Sequence, residues 1–301
     1  RRTWNAKGAL LVRLGRQAEG LESYDRTLSL NPGDRVALAA SGRILFDLGR
    51  FPEALRTFDD GLILEHDNLD FLSGKAMCLA REGHFDDALS LLTVVFQKDP
   101  NHYDASRTRG LCLLRTGRPA EALPCFDFAL KANPEDAIAL TGRGEAFEAL
   151  GRTEDALHAF GAAAESDPTY GDAWRGQGLL ELKLERFAEA ADALAHATET
   201  RPEDKGLWYM RGVAEERAGQ LEPAVESYDR ALRLDARDTA TWASKGLALL
   251  RLKRFDDALK SFDAALALDP ASEAAATGKR HAEERIHIAK IEGFAEGVVR
   301  F

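Results

Sequence analysis

The chain has 301 residues, 30% of them charged, and a formal net charge of -10, which argues against bulk binding of nucleic acid, whose affinity rests on Lys and Arg contacts to phosphate. The same balance disfavours an anionic membrane surface, and no apolar run approaches the roughly 18 residues a membrane span needs. Cys78, Cys112 and Cys125 show no CxxC spacing, so no disulfide framework or zinc site is expected, and a reducing, cytoplasmic setting is.

The stretch Trp242 to Pro270 sets the register of the rest. Steps of 34 residues back from Pro270 meet Ala236, Pro202, Pro168, Pro134, Pro100, His66 and Pro32. Such a period marks a repeat array in which each unit contacts its neighbours. Eight units follow, 1–34, 35–68, 69–102, 103–136, 137–170, 171–204, 205–238 and 239–272, with 273–301 outside. The sequence starts inside a unit and without a methionine, which reads as part of something longer.

Within each unit, positions 1–14 and 18–31 carry apolar residues at helical spacing, predicting a hairpin of helices A and B. Gly15, Gly49, Gly83, Gly117, Gly151 and Gly219 stand where helix A must end, with Glu185 and Lys253 as exceptions. Asp34, Asn68, Asp136, Asp204, Asp238 and Ser272 supply N-cap acceptors for the next helix A, whereas His102 and Tyr170 depart from that rule. Glycine at position 8 and alanine at position 20 let the two helices approach. Trp4, Trp174, Trp208 and Trp242 at position 4, with Leu38, Leu72 and Leu140 in three more units, are read as the large core partners, Ser106 being the exception. Pro124, in the first turns of a helix B, predicts a bend or a late start there.

In the last unit Trp242, Gly246, Ala258, Phe262, Ala265 and Pro270 fill positions 4, 8, 20, 24, 27 and 32. This pattern resembles the tetratricopeptide repeat family, and the resemblance extends over all eight units. It implies an all-α right-handed solenoid of antiparallel helix hairpins, with A helices lining a concave groove for a peptide or partner protein. Position 7 departs from the family's leucine with Lys7, Ser41, Lys75, Arg109, Arg143, Gln177, Arg211 and Lys245. Asp25, Asp59, Asp127, Asp229 and Asp263 at position 25 offer these bases a partner, in the same unit or in the next one, counting Lys279 beyond the last.

By the same resemblance, positions 2, 5, 6, 9, 12 and 13 of helix A face the groove. Candidate residues there are Asn5, Arg107, Arg175 and Tyr209 at position 5 and Met210 at position 6. Arg43, Met77, Leu111, Glu145, Leu179 and Val213 stand at position 9, and Phe46 and Glu148 at position 12. Arg13, Arg81, Arg115, Lys183, Arg217 and Arg251 form a basic row at position 13. Small residues at position 6, including Ala6, Ala40, Gly74, Gly142 and Gly176, suggest a trough that admits apolar anchors, unless they pack between A helices. The row at position 13 either selects an acidic amphipathic segment or only complements the helix dipoles. The lysine, asparagine and arginine set by which the family clamps acidic chain ends is absent from the corresponding positions.

No catalytic residue, cofactor site or metal site is expected. The seven histidines form no i,i+4 pair, and Gly142-x-Gly144 and Gly176-x-Gly178 lie within helix A rather than after a strand. Residues 273 to about 290 read as a capping helix. The apolar tail after it folds back on the cap, docks on a second copy or is disordered. The expectation is therefore a non-enzymatic interaction scaffold that binds a protein segment. The alternatives are a self-assembling scaffold joined through the tail or an end unit, and a regulatory segment of a larger multidomain enzyme.

Overall fold

The computed structural model describes the backbone of residues 2–298 and the side chains of residues 3–288 and 291. Among the described residues there are helices and no strands. The A helices are α1 (Arg2–Arg13), α3 (Arg35–Asp47), α5 (Leu69–Arg81), α7 (Tyr103–Arg115), α9 (Ala137–Ala149), α11 (Gly171–Lys183), α13 (Lys205–Arg217) and α15 (Thr239–Arg251). The B helices are α2 (Gln17–Leu30), α4 (Phe51–Leu64), α6 (Phe85–Lys98), α8 (Pro119–Ala132), α10 (Thr153–Ser166), α12 (Phe187–Thr200), α14 (Leu221–Leu234) and α16 (Phe255–Leu268), and α17 (Glu273–Val298) follows them. The chain divides into two compact units, Arg1–Ala156 and Leu157–Phe301. Each is an all-α stack of hairpins.

Helix ends follow from local chemistry. The Asp34 carboxylate accepts from Ala37 N at 3.0 Å, Asn68 accepts from Asp70 N and Phe71 N, and Asp136, Asp204, Asp238 and Ser272 do the same for their helices. His102 joins them, contrary to the sequence expectation, because its Nδ1 accepts from Ala105 N at 3.3 Å. The six glycines at position 15 have φ between 73° and 86°, and Glu185 and Lys253 are held in the same left-handed region at 59° and 60°. Helix B starts without side-chain caps at Arg16, Arg50, Arg118 and Arg254. Each of those arginines instead pairs with the carboxylate three residues on, as in Arg16–Glu19 at 2.5 Å and Arg50–Glu53 at 2.6 Å.

The core is built on position 24 throughout and on position 4 where that residue is leucine, since Leu38, Leu72 and Leu140 are buried. In the first unit Tyr24, Phe58, Leu92 and Phe126 are buried, and in the second Phe160, Leu194, Tyr228 and Phe262 are. Phenylalanine rings at this position lie against a small residue of the next helix A. A Cβ on Gly142 would come within 2.5 Å of Phe126 Cε1, and one on Gly176 within 2.5 Å of Phe160 Cε1. Gly74, Gly142 and Gly176 are therefore covered by aromatic rings and do not form the floor of an apolar trough. The tryptophans need the opposite correction, because all four are only half-buried. Trp174, Trp208 and Trp242 donate their indole N–H to the carbonyls of Pro168, Pro202 and Ala236 at 3.0, 2.8 and 3.0 Å, tying helix A to the preceding turn.

Four bases at position 7 or its equivalent pair with the aspartate at position 25 of the repeat before their own, whereas Arg211 pairs with Glu215 of its own repeat. Lys75–Asp59 measures 2.7 Å, Arg143–Asp127 3.6 Å, Lys245–Asp229 2.6 Å and Lys279–Asp263 2.7 Å. Each pair joins a helix B to the next helix A, sixteen residues on. Lys245 also lies 5.2 Å above the Trp242 ring, so its charge has both an anion and a π face.

Pro124 does not interrupt its helix. Helix α8 spans 14 residues, as its neighbours α6 and α10 do. As the sixth residue of α8, Pro124 removes only the bond its N–H would make to the Ala120 carbonyl. Helix α17 keeps the A-helix pattern, with Ala275 and Ala282 buried against α16. It runs on to Val298 instead of ending near 290, so no fold-back occurs up to that point. Ile288 and Ile291 are exposed. The tail side chains Phe294, Val298, Val299 and Phe301, on which the expected docking rests, lie outside the described residues.

Candidate functional site: the face formed by the A helices

In the first compact unit most candidate groove residues are occupied by their own chain. The Arg43 guanidinium donates to Asp104 at 2.8 Å, with Asp47 at 3.9 Å and Met77 Sδ at 3.7 Å. Arg107 bridges Asp104 at 3.5 Å and Asp136 at 2.9 Å, and the Tyr103 hydroxyl donates to Asp136 as well. Burial alone would raise the Asp104 carboxyl, but Arg43 holds it below the usual carboxylate range. This network runs across α3, α7 and the cap of α9.

The remaining candidates of this unit are spread around it. Met77 is buried and Leu111 half-buried. Phe46 makes an edge contact with Phe51, and Arg81 lies 5.5 Å over the same Phe51 ring. Arg115 pairs with Glu145 at 3.3 Å, and Glu148 is half-buried. Asn5 donates to Asp34 at 3.1 Å, and Arg13 is exposed.

The second unit leaves apolar side chains open on this face, as the first does at Val36 of position 2, 62% exposed. Met210 on α13 is 37% exposed and Leu247 on α15 is 41% exposed. Leu179, Tyr209 and Val213 are half-buried nearby in register, with the Tyr209 ring 6.0 Å from that of Tyr228. Arg251 donates to the Glu216 backbone carbonyl at 3.0 Å and to its carboxylate at 3.3 Å, and the same carboxylate accepts from the Tyr228 hydroxyl at 2.9 Å. Arg217 stacks over Phe187 at 4.6 Å. Lys183 is exposed, and Arg175 is half-buried with no carboxylate partner among the described residues. The row at position 13 is thus largely engaged within the chain, as Arg81, Arg115, Arg217 and Arg251 show.

Two buried carboxylates went unnoticed in the sequence. Glu181 is 6% exposed and Glu215 3%. The available signal was an acid at position 11, a column that otherwise reads Leu11, Leu45, Leu79, Leu113, Phe147 and Leu249. Glu215 is matched, because Arg211 donates to it at 2.7 Å and Ser227 at 2.6 Å. Glu181 accepts only from Gln177, at 2.9 Å, and its Oε2 has no partner.

The cysteines behave as packing residues. Cys78 and Cys112 are fully buried, and burial pushes both thiols up to about 12, so neither is a thiolate at neutral pH. Among the described residues, no group of three or more His, Cys, Asp or Glu side chains could hold a metal ion. No described helix is long and apolar enough to cross a membrane.

Helix hairpins stacked by a repeated ring-on-glycine contact, with one face formed by successive A helices, define a helical repeat protein. The tetratricopeptide repeat model matches residues 5–68, 74–124, 113–171, 145–205, 175–240, 209–273 and 243–292, and the chain belongs to that family. No curated protein matches it by sequence. Among solved structures, it is similar to YrrB, described as a TPR protein with an unusual peptide-binding site, at 20% identity and TM-score 0.58, over 63% of this chain and 97% of that one. A tetratricopeptide repeat protein from Parabacteroides merdae aligns at 19% identity and TM-score 0.54, over 82% and 98%. PilF of Pseudomonas aeruginosa aligns at 16% identity and TM-score 0.58, over 69% and 95%. Likeness at these identities establishes the fold.

Proposed function

We propose that the chain is a non-catalytic scaffold that binds a segment of a partner protein on the A-helix face of its second compact unit. Tetratricopeptide repeat proteins mediate protein–protein interaction as a class. The observation that carries the narrower reading is the contrast between the units. Arg43, Asp104, Arg107 and Asp136 bridge the face of the first, whereas Met210 and Leu247 stand open on the second. An amphipathic helix or extended segment bearing two apolar anchors fits such a surface. The guanidinium of Arg175 favours a carboxylate beside those anchors. The peptide-binding site named for YrrB is consistent with this use of the fold, and a cytoplasmic setting suits it.

The test is affinity capture from the native host, with quantitative mass spectrometry on the wild type and on a Met210→Asp, Leu247→Asp variant. Loss of the same partners from a variant with unchanged circular dichroism supports the assignment. Undiminished recovery overturns it.

A second reading, end-to-end self-association, is favoured by one observation. Leu10 of α1 and Leu14 in the turn after it are 58% and 62% exposed, whereas Ile44, Cys78, Leu180 and Ala248, at the position of Leu10 in later units, are 3% exposed or less. Sedimentation of a Leu10→Glu, Leu14→Glu variant decides it, since an unaltered oligomer removes α1 as the joint.

A further inference from the structure

A second surface of the same unit, away from the A-helix face, lacks something the other repeats supply for themselves. Between α14, α15 and α16 a groove is lined by Asp229, Trp242, Lys245, Leu249, Asp257 and Ser261. Lys245 occupies it, held by Asp229 at 2.6 Å and lying over Trp242. Two repeats earlier, the same positions read Gly161, Trp174, Gln177, Glu181, Glu189 and Ala193.

The changes at four of these positions remove a charge or a donor from that place or put an anion in it. Gln177 replaces the base. Gly161 replaces the aspartate and leaves open space, since a Cβ built there meets no atom within 4 Å. Glu181 takes the place of the leucine at the floor. It is 6% exposed, and its Oε2 makes no hydrogen bond. The next repeat shows what satisfies such a carboxylate, because Glu215 there receives Arg211 and Ser227. Around Glu181, Gln177 offers only a neutral amide and Ala193 no donor. Glu189 and Asp192 add negative charge, opposed by Arg186. Burial raises the Glu181 carboxyl, as expected of an acid without its cation.

We propose that the place between α10, α11 and α12 that corresponds by repeat to the Lys245 groove is a receptor site for an organic monocation, the ammonium or guanidinium head of a lysine or arginine side chain from a partner protein. The guest donates to Glu181 Oε2, the oxygen left without a partner, and supplies the positive charge that Arg211 gives Glu215. Its alkyl stem lies in the space beside Gly161, and Trp174, with His196 stacked on it at 4.4 Å, stands where Trp242 stands beside Lys245. Such a site gives the scaffold a basic-side-chain specificity independent of the apolar anchors of the A-helix face.

The probe is butylammonium chloride, titrated into the full chain with the Trp174 indole and Gly161 amide signals followed by NMR. Sodium chloride at equal ionic strength and neutral butanol serve as controls. A saturable shift with butylammonium alone is expected. Glu181→Gln should weaken it about tenfold or more, the scale of a charge-assisted hydrogen bond. Gln177→Arg, which copies Arg211, should fill the site from within, abolish the saturable shift and raise the melting temperature. Three outcomes overturn the proposal: a non-saturating shift matched by sodium chloride, equal saturation by butanol, or undiminished butylammonium binding in Gln177→Arg.

Discussion

The ring of Phe126 rests on Gly142, so closely that a Cβ on the glycine would stand 2.5 Å from Cε1. The two residues are sixteen apart, at position 24 of one repeat and position 6 of the next. Phe58, Phe126, Phe160 and Phe262 are followed at that distance by Gly74, Gly142, Gly176 and Gly278. Tyr24, Leu92, Leu194 and Tyr228 are followed by Ala40, Thr108, Met210 and Ser244. Phenylalanine at this junction therefore goes with glycine, and the other residues go with larger partners, because close packing leaves no spare volume for both.

This pairing predicts coupled mutational effects. Gly142→Thr should destabilise by about 1–3 kcal/mol through overpacking. Combined with Phe126→Leu it copies Leu92 and Thr108, and the double variant should be more stable than Gly142→Thr alone, with a coupling of about 0.5–3 kcal/mol. Urea midpoints of the two single variants and the double give the cycle. Simple additivity would show that the ring and the glycine do not constrain one another.

The half-buried tryptophans predict a smaller cost than their size suggests. Phe262, with no exposed surface, should lose about 3–5 kcal/mol on truncation to alanine. Trp242→Ala should lose about 2 kcal/mol, since part of its surface is already wet. Trp242→Phe, which removes the indole N–H from the Ala236 carbonyl, should account for about 1 kcal/mol of that. Equal losses at Trp242 and Phe262 in thermal unfolding would return the tryptophan to the core.

Glu185 and Lys253 sit at φ of 59° and 60° where the other repeats place glycine. An L-residue in that region carries a cost of roughly 1–2 kcal/mol. Glu185→Gly and Lys253→Gly should each stabilise the protein by about 1 kcal/mol, less the entropy glycine adds to the unfolded chain. Gly219→Ala should do the reverse. A fall in denaturation midpoint for both glycine variants would mean that side-chain contacts of Glu185 and Lys253 outweigh the backbone strain.

What the sequence displayed and what it hid divide along physical lines. The hairpins were legible because caps such as Asp34 and stops such as Gly49 act through neighbouring backbone, and local chemistry is written in adjacent letters. The partner of Lys245 was not, since Asp263 of its own repeat and Asp229 of the preceding one are both available until two helices are placed side by side. Position 6 stayed open between two readings for a related reason. A small residue serves a ligand or a neighbouring ring equally well, and only the position of Phe126 decides for Gly142. On the A-helix face, the engagement of Arg43 with Asp104, 61 residues on, depends on how successive hairpins stack, which no single repeat records.

Glu181 supplies a prediction that runs against the usual behaviour of paired acids. Its carboxyl is raised chiefly by burial, with Gln177 acting in the opposite direction. A carboxyl with a native pKa above its unfolded one stays protonated in the folded chain after the unfolded chain has ionised, so stability falls as pH rises from the ordinary carboxylate range through the native value. Above both values the loss is constant, and below both it vanishes. Glu181→Gln keeps the shape, removes the ionisation and can still accept from Gln177. It should therefore stabilise the protein at pH 7, by an amount on the order of 1 kcal/mol for a buried group left half-satisfied, and have little effect near pH 3.5. By contrast Glu215→Gln, which leaves Arg211 without its anion at 2.7 Å, should destabilise at pH 7. Urea denaturation of both variants at the two pH values checks the argument. A stabilisation by Glu181→Gln that persisted unchanged in acid would show that the side chain's charge is not its source.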